Sequence, residues 1–365
     1  MITRLPLPLI FGAVLMAGCV HNSGNPTGPG LTEEKGMGRI ACSMMSGPSN
    51  GTGSYEAIID STGAIIQNIQ SRLTPALQGG AGWSSGNGRF VWIAEDSSDP
   101  GGLAEVVVSD NSGITNTPIF ETHNDTLLFP PSISADGSRV AIVTRYGSPP
   151  SYMEYMKLTV MTLEESGDSI RAVDQNVITT FLPRNASIAL SPDGSQAAFD
   201  DTTGNLVVVS TDGSEDSKII TSLRGADGWY LNGWTIDWSS KNELALGSGG
   251  IIRVVSAEGG NLTVVDSGSG YPKWSPDGAM LAYSSMSDDI LVTSDLGKTK
   301  TNLTNDAQGN GAPSWSPDGN KIAYTSNMGS FFGQPGPSPS VISVSLANGA
   351  KHTLLSHAAL GVWLR

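Results

Sequence analysis

The stretch Ala312-Pro-Ser-Trp-Ser-Pro-Asp-Gly-Asn-Lys-Ile-Ala-Tyr-Thr-Ser326 decides the fold. Read locally, it is a β-hairpin. Pro317 presets φ for the second residue of a turn. Asp318 offers its carboxylate to a backbone N–H, and Gly319 suits a φ > 0 position that strains other residues. Ile322 and Tyr324 then alternate with small or polar neighbours, as in a strand with one better-buried face.

The second strand of this hairpin recurs seven times, at 39–43, 90–94, 140–144, 197–201, 244–248, 281–285 and 322–326. After each copy come a third strand, a Gly-marked turn and a fourth, shorter strand. Those fourth strands are expected at 65–69, 118–120, 178–181, 218–220, 262–265, 301–303 and 353–355. The first strand has six internal copies, ending at Trp83-Ser84, Ile133-Ser134, Leu190-Ser191, Trp238-Ser239, Trp274-Ser275 and Trp315-Ser316. Pro276-Asp277-Gly278 and Pro192-Asp193-Gly194 repeat the turn in full. Ala135-Asp136-Gly137 comes close, while Ser240-Lys241-Asn242 and Ser85-Gly86-Asn87-Gly88 are degenerate. The missing seventh copy lies at the C-terminus, where Trp363 takes the slot of Trp315.

This arithmetic predicts closure. The last strand completes a sheet begun by three N-terminal strands, which leaves no open seam in a ring. The expected architecture is all-β: a seven-bladed β-propeller over 38–365, four antiparallel strands per blade.

Composition agrees. A chain of 365 residues with 45 Gly and 21 Pro favours many short strands joined by turns. The net charge of −14 with no basic stripe argues against a nucleic-acid partner.

The repeat resembles the WD40-like (PD40) repeat of TolB-type propellers, and the resemblance runs from about Arg39 to Arg365. It implies a propeller at the bacterial cell envelope that binds other proteins. Two features depart from TolB. No α/β segment precedes the repeats here, and the count is seven blades where TolB has six.

Residues 1–18 read as a signal peptide, with Arg4 followed by an apolar run too short to span a bilayer. Leu15-Met-Ala-Gly-Cys19 resembles a bacterial lipobox, which implies lipidation of Cys19 as the mature N-terminus. Val20 in the next position favours the outer membrane by the same resemblance. Residues 19–37 are rich in Gly, Asn, Pro, Ser and Thr and read as a flexible tether. Cys42, in an apolar strand pattern, reads as an inert buried thiol.

In a four-stranded blade, first-to-second and third-to-fourth turns share one face. Second-to-third loops and the links between blades share the other. The long irregular segments 47–54, 97–102, 146–155 and 329–340 fall on the second face. Binding residues favour irregular loops held on a rigid scaffold, and exposed aromatics make anchors. Tyr146, Tyr152, Tyr155, Trp229, Tyr230, Phe331 and Phe332 are the candidate binding face. Trp83, Trp238, Trp274, Trp315 and Trp363 instead hold a repeat position and are expected to pack between blades.

Signals for chemistry are weak. Gly82-Trp-Ser-Ser-Gly86 matches a nucleophile elbow, but that motif needs a helix behind its turn, and Ser84 sits in a repeat slot shared by other serines. No zinc-type His/Cys spacing occurs. Some seven-bladed relatives of the repeat are lyases holding a metal with several histidines. His123 with Asp125 is the one partial match. Acidic clusters at Glu95-Asp96 with Asp99, Asp200-Asp201 and Asp288-Asp289 are the candidate calcium ligands. The sequence therefore favours a monomeric, non-enzymatic, lipid-anchored scaffold for an envelope protein or cell-wall component, at the periplasmic or envelope surface. A carbohydrate lyase working at the central channel is the alternative.

Overall fold

A computed structural model describes residues 39–45, 54–69, 74–75, 84–95, 104–109, 116–122, 126–127, 131–146, 155–166, 169–179, 182, 187–214, 217–223, 235–248, 250–306, 308–328 and 336–363. At some strand ends only the backbone is described. The expected signal peptide, Cys19 and the expected tether lie outside these residues, which all belong to the unit Lys35–Arg365.

The chain forms a seven-bladed β-propeller of four antiparallel strands per blade. Blade 1 closes the ring. Its inner strand is the C-terminal Ala358–Trp363, followed outward by Ile40–Met45, Ser54–Ile59 and Ile65–Ile69. Ile40 pairs with Trp363 and Met44 with Ala358, so the two chain ends share one hydrogen-bonded ladder, as the repeat count predicts.

Blades 2 and 3 have inner strands in two pieces. These are Thr74–Pro75 with Ser84–Gly86, and Thr126–Leu127 with Ser132–Ile133. Their outer strands are Arg89–Glu95, Ala104–Ser109 and Asn116–Thr122, then Arg139–Tyr146, Tyr155–Ser166 and Ser169–Thr179. Blade 4 runs Ile188–Leu190, Gln196–Asp200, Asn205–Ser210 and Lys218–Ser222. Blade 5 begins Thr235–Trp238, Glu243–Ser248 and Ile251–Ser256. Blade 6 continues with Leu281–Ser285, Ile290–Thr293 and Thr301–Asn302. Blade 7 is Gly311–Trp315, Lys321–Ser326, Ser340–Ser345 and Lys351–Ser356.

Two elements differ from the sequence expectation. The fourth strand of blade 3 is Ser169–Thr179 and not 178–181. Arg171, Val173, Asp174, Gln175 and Val177 are exposed on this outermost strand, so solvent on its edge hides the apolar alternation. The fourth strand of blade 5 does not end after 265. Thr263–Trp274 runs on as one strand, pairing first with Ile251–Ser256 and then with Leu281–Ser285 as the inner strand of blade 6. Gly268 and Gly270 sit at the register shifts where it changes sheet.

The second strands read as nearly continuous apolar runs because both faces of each blade are buried. Alternate side chains go to opposite seams. Leu281 and Tyr283 pack with Ala245, Ile252 and Trp274 toward blade 5. Ala282 packs with Trp315, Ile322 and Tyr324 toward blade 7. Trp238, Trp274, Trp315 and Trp363 are all buried, and Cys42 is buried beside Trp363. Trp83 lies outside the described residues.

The Ser-Pro-Asp-Gly turns show why these residue types recur. The Ser316 hydroxyl donates to Asp318 Oδ1 at 2.6 Å and accepts the Lys321 N–H at 2.9 Å. Asp318 Oδ1 also accepts the Asn320 N–H, and Gly319, at φ 69°, donates its N–H to the Ser316 carbonyl. The same network surrounds Ser134–Asp136, Ser191–Asp193 and Ser275–Asp277. In the degenerate copy of blade 5, Asn242 takes the positive φ and its side chain accepts the Trp238 Nε1–H.

Candidate functional site

The propeller's inner strands have no neighbour on their channel side, so their unpaired N–H groups need acceptors from elsewhere. Side chains of the preceding blade supply several. Ser187 Oγ accepts the Ile236 N–H, Thr235 Oγ1 accepts the Tyr271 N–H, and Asp237 Oδ2 accepts the Trp274 N–H at 2.7 Å. Across the closing seam, Ser314 Oγ accepts the Trp363 N–H at 3.0 Å. In blades 5 and 7 the residue just before the Trp, Asp237 or Ser314, is thus a stitch to the next blade, and Ser187 and Thr235 do the same from three residues before the slot.

Lys273 occupies the position before the Trp in blade 6 and cannot accept. Its ammonium turns back to Asp237 Oδ1 at 2.9 Å, and Trp315 Nε1 donates to its carbonyl. The charges on this side of the rim therefore neutralise each other.

The carboxylates flagged for calcium are cradled by hydrogen-bond donors. Asp289 is buried and accepts Asn302 Nδ2, Thr304 Oγ1, the Asp306 N–H and Ser287 Oγ. Burial pushes its pKa up, but these donors outweigh that and hold it below the usual carboxylate range. Asp201 accepts the backbone N–H groups of Thr203 and Asn205 and both of their side chains. Asp200 is buried and accepts the Ser187 N–H. Among the described residues, no group of three or more His, Cys, Asp or Glu side chains converges as a metal site would need. Glu95 contributes only described backbone, and Asp96, Asp99, His123 and Asp125 lie outside the described residues.

Of the seven candidate binding residues, the backbones of Tyr146 and Tyr155 are described. They pair directly at the loop-face end of the blade 3 hairpin. Their side chains, and all of Tyr152, Trp229, Tyr230, Phe331 and Phe332, lie outside the described residues.

The described part of the loop face carries two large apolar groups that the sequence reading passed over. Tyr271 is 39% and Met286 66% exposed. Both lie at the loop-face end of blade 6. Gly270 pairs with Ser284 and Gly268 with Ser285, immediately before the turn holding Met286. Tyr271 adopts φ 56°, a left-handed conformation that strains a bulky residue, between Gly270 and Pro272. Ala312, in the same slot of blade 7, has φ 52°, so the kink belongs to the inner-strand entry and the aromatic ring is what is particular to blade 6. The signal was present in the matched spacing of Gly270-Tyr-Pro-Lys-Trp274 and Gly311-Ala-Pro-Ser-Trp315.

The loop crown is uneven around the ring. Connections from second to third strand cover 201–204, 249–250 and 286–289 in blades 4, 5 and 6, against 46–53, 96–103, 147–154 and 327–339 in blades 1, 2, 3 and 7. A low arc that includes Tyr271 and Met286 thus adjoins a contiguous arc of long insertions.

Fold and rim together define the class: a closed seven-bladed propeller with one stereotyped face and one variable face. No protein-family profile matches the chain, and no curated protein matches it in sequence. It is similar to solved propeller structures. An oligogalacturonate lyase in complex with manganese shares 12% identity over 80% of this chain and 83% of that one, with a TM-score of 0.57. The oligogalacturonate lyase of Vibrio parahaemolyticus shares 12% identity over 79% and 82%, with a TM-score of 0.51. TolB from Acinetobacter baumannii shares 14% identity over 89% of this chain and 66% of that one, at a TM-score of 0.49. Identities this low speak to the fold alone.

Proposed function

We propose that the protein is a non-enzymatic binding scaffold, held at the bacterial envelope by a lipidated Cys19, whose loop face docks a protein partner. One observation carries the reading. The loop-face end of blade 6 presents an exposed aromatic, Tyr271, and an exposed Met, Met286, while the nearby rim charges Lys273 and Asp237 are paired with each other. Exposed aromatic and Met side chains suit protein contact. A self-neutralised ion pair gives substrate little to work with. The repeat's resemblance to TolB-type propellers supports the same context, as do the long insertions on the same face.

Two experiments test this. Full-length protein is used to capture partners from detergent-solubilised envelope, alongside a Tyr271→Ala/Met286→Ala variant and a Phe331→Ala/Phe332→Ala variant. One protein retained in stoichiometric yield by the parent and lost with either variant is expected. Equal capture by both variants rejects the face, and cleavage of oligogalacturonate with added manganese rejects the scaffold reading in favour of a lyase. For the anchor, Cys19→Ser is expected to abolish labelling by radioactive palmitate and release the protein from the membrane fraction. Unchanged labelling rejects lipidation at that residue.

A further inference from the structure

The seams on either side of blade 6 are built to one plan. In the seam between blades 5 and 6, Tyr283 donates its hydroxyl to Asp266 Oδ2 at 2.8 Å, and Lys300 Nζ meets Asp266 Oδ1 at 2.7 Å. In the seam between blades 6 and 7, Tyr324 holds the slot of Tyr283. Lys351 holds the slot of Lys300, and Asp306, one position from the slot of Asp266, pairs with it at 2.7 Å.

The second seam departs from the plan at one bond. Asp306 Oδ1 accepts Asn310 Nδ2 at 2.6 Å and Oδ2 accepts Lys351 Nζ, and no bond joins Tyr324 to it. The Tyr324 hydroxyl is fully buried and has no partner among the described residues, although burial and then the Asp306 charge hold it firmly in its protonated form. Two further buried atoms in this seam lack partners among the described residues: Ser284 Oγ and Asn310 Oδ1, on residues 1% and 3% exposed.

Their placement is fixed by strand geometry. Ala282 faces blade 7 with Tyr324, so Ser284, two residues on, faces the same way. Ser284 also pairs across the sheet with Ile290, another member of that seam. Asn310 enters from the blade 6–7 link. Its N–H is bonded to the Asp288 carbonyl and its side chain to Asp306.

Leaving one buried polar group unsatisfied costs about 1–3 kcal/mol, and polar interior sites with several such groups are where proteins fix internal water. We propose that the seam between blades 6 and 7 is an internal water site. One water accepts a hydrogen bond from the Tyr324 hydroxyl and donates to Asn310 Oδ1 and Ser284 Oγ. That water substitutes for the direct Tyr–Asp bond of the neighbouring seam. It ties the second strand of blade 6 to blade 7 beneath the turn that displays Met286.

A crystal structure of the protein at a resolution that shows ordered solvent tests this. The expected result is a solvent peak within hydrogen-bonding distance of Tyr324 Oη and of Ser284 Oγ or Asn310 Oδ1, as well ordered as the protein around it. No such peak, or Tyr324 Oη bonded directly to Asp306 as Tyr283 is to Asp266, overturns the proposal. In crystals of Tyr324→Phe the peak is expected to weaken or vanish, and an unchanged peak removes Tyr324 as a ligand. Tyr283→Phe is the control that leaves the blade 6–7 peak in place.

Discussion

The two faces of this propeller are made under opposite rules. On the turn face, the same hydrogen-bonding problem arises in blade after blade, and Ser, Asp and Gly solve it the same way at Ser134, Ser191, Ser275 and Ser316. On the loop face the connections range from two residues at 249–250 to long insertions such as 327–339. Uniformity marks positions where the backbone dictates the residue. Variation marks positions free to answer to something outside the molecule.

That contrast breaks most readily at the ring's closure. Trp363 is buried at the point where the chain ends meet. Replacing a buried Trp by Ala costs about 3–5 kcal/mol. Trp363→Ala is expected to lose that much in urea denaturation, and removal of 358–365 more. A truncated chain that melts like the parent defeats the closed-ring account.

Turn-face glycines sharpen it next. A Cβ on Gly297 would lie 2.0 Å from the Val265 carbonyl oxygen of blade 5, whereas one on Gly213 meets nothing within 4 Å. Both have positive φ, 86° and 75°. Gly213→Ala is expected to show only the left-handed strain of about 1–2 kcal/mol, and Gly297→Ala clearly more. Equal losses in thermal melts contradict the close approach.

Ser316→Ala removes the hydroxyl that joins Asp318 to the Lys321 N–H. A loss of about 1–3 kcal/mol is expected, matched by Ser275→Ala if the turns are equivalent.

The same turns make the protein acid-sensitive. Hydrogen bonds from Ser191 lead those that lower the Asp193 carboxyl, and Ser275 does the same for Asp277. The Ser210 and Ser214 bonds take Asp212 to about 2. A carboxyl whose folded pKa is depressed adds stability above its unfolded pKa and loses it as pH falls through the folded one. The melting temperature is therefore expected to fall as pH drops from about 4 toward 2, and to be flat above about 5 as far as these groups are concerned. A melting temperature unchanged over the acid range removes the turn carboxylates from the account.

The smallest stability effect belongs to the loop face. Met286→Ala is expected to shift stability by no more than about 0.5 kcal/mol while weakening partner capture. A large destabilisation means that Met286 packs and does not display.

Much of the ring was legible because each repeat carries its own turn chemistry, and because Trp363 supplies a first strand the internal copies lack. The fourth strand of blade 3 and the merged strand of blades 5 and 6 were not. An outer edge bathed in solvent shows no apolar period, and Ser267-Gly-Ser-Gly270 looks like a loop while remaining extended. The site stands apart from the fold, because the side chains of all seven candidate aromatics lie outside the described residues. Sequence picked aromatics in long insertions, whereas Tyr271 sits within the repeat itself and its exposure depends on which strand it begins.

Sequence alone determined the blade count, the turn residues and the way the ring closes, since these follow from local backbone demands repeated along the chain. Tertiary structure decided which polar residues stitch the rim, how Lys273 and Asp237 neutralise each other, and that Tyr271 stays exposed at the blade 5–6 crossing. Each of these depends on contacts between blades or between strands, and no local pattern encodes which partner a side chain will find across a seam.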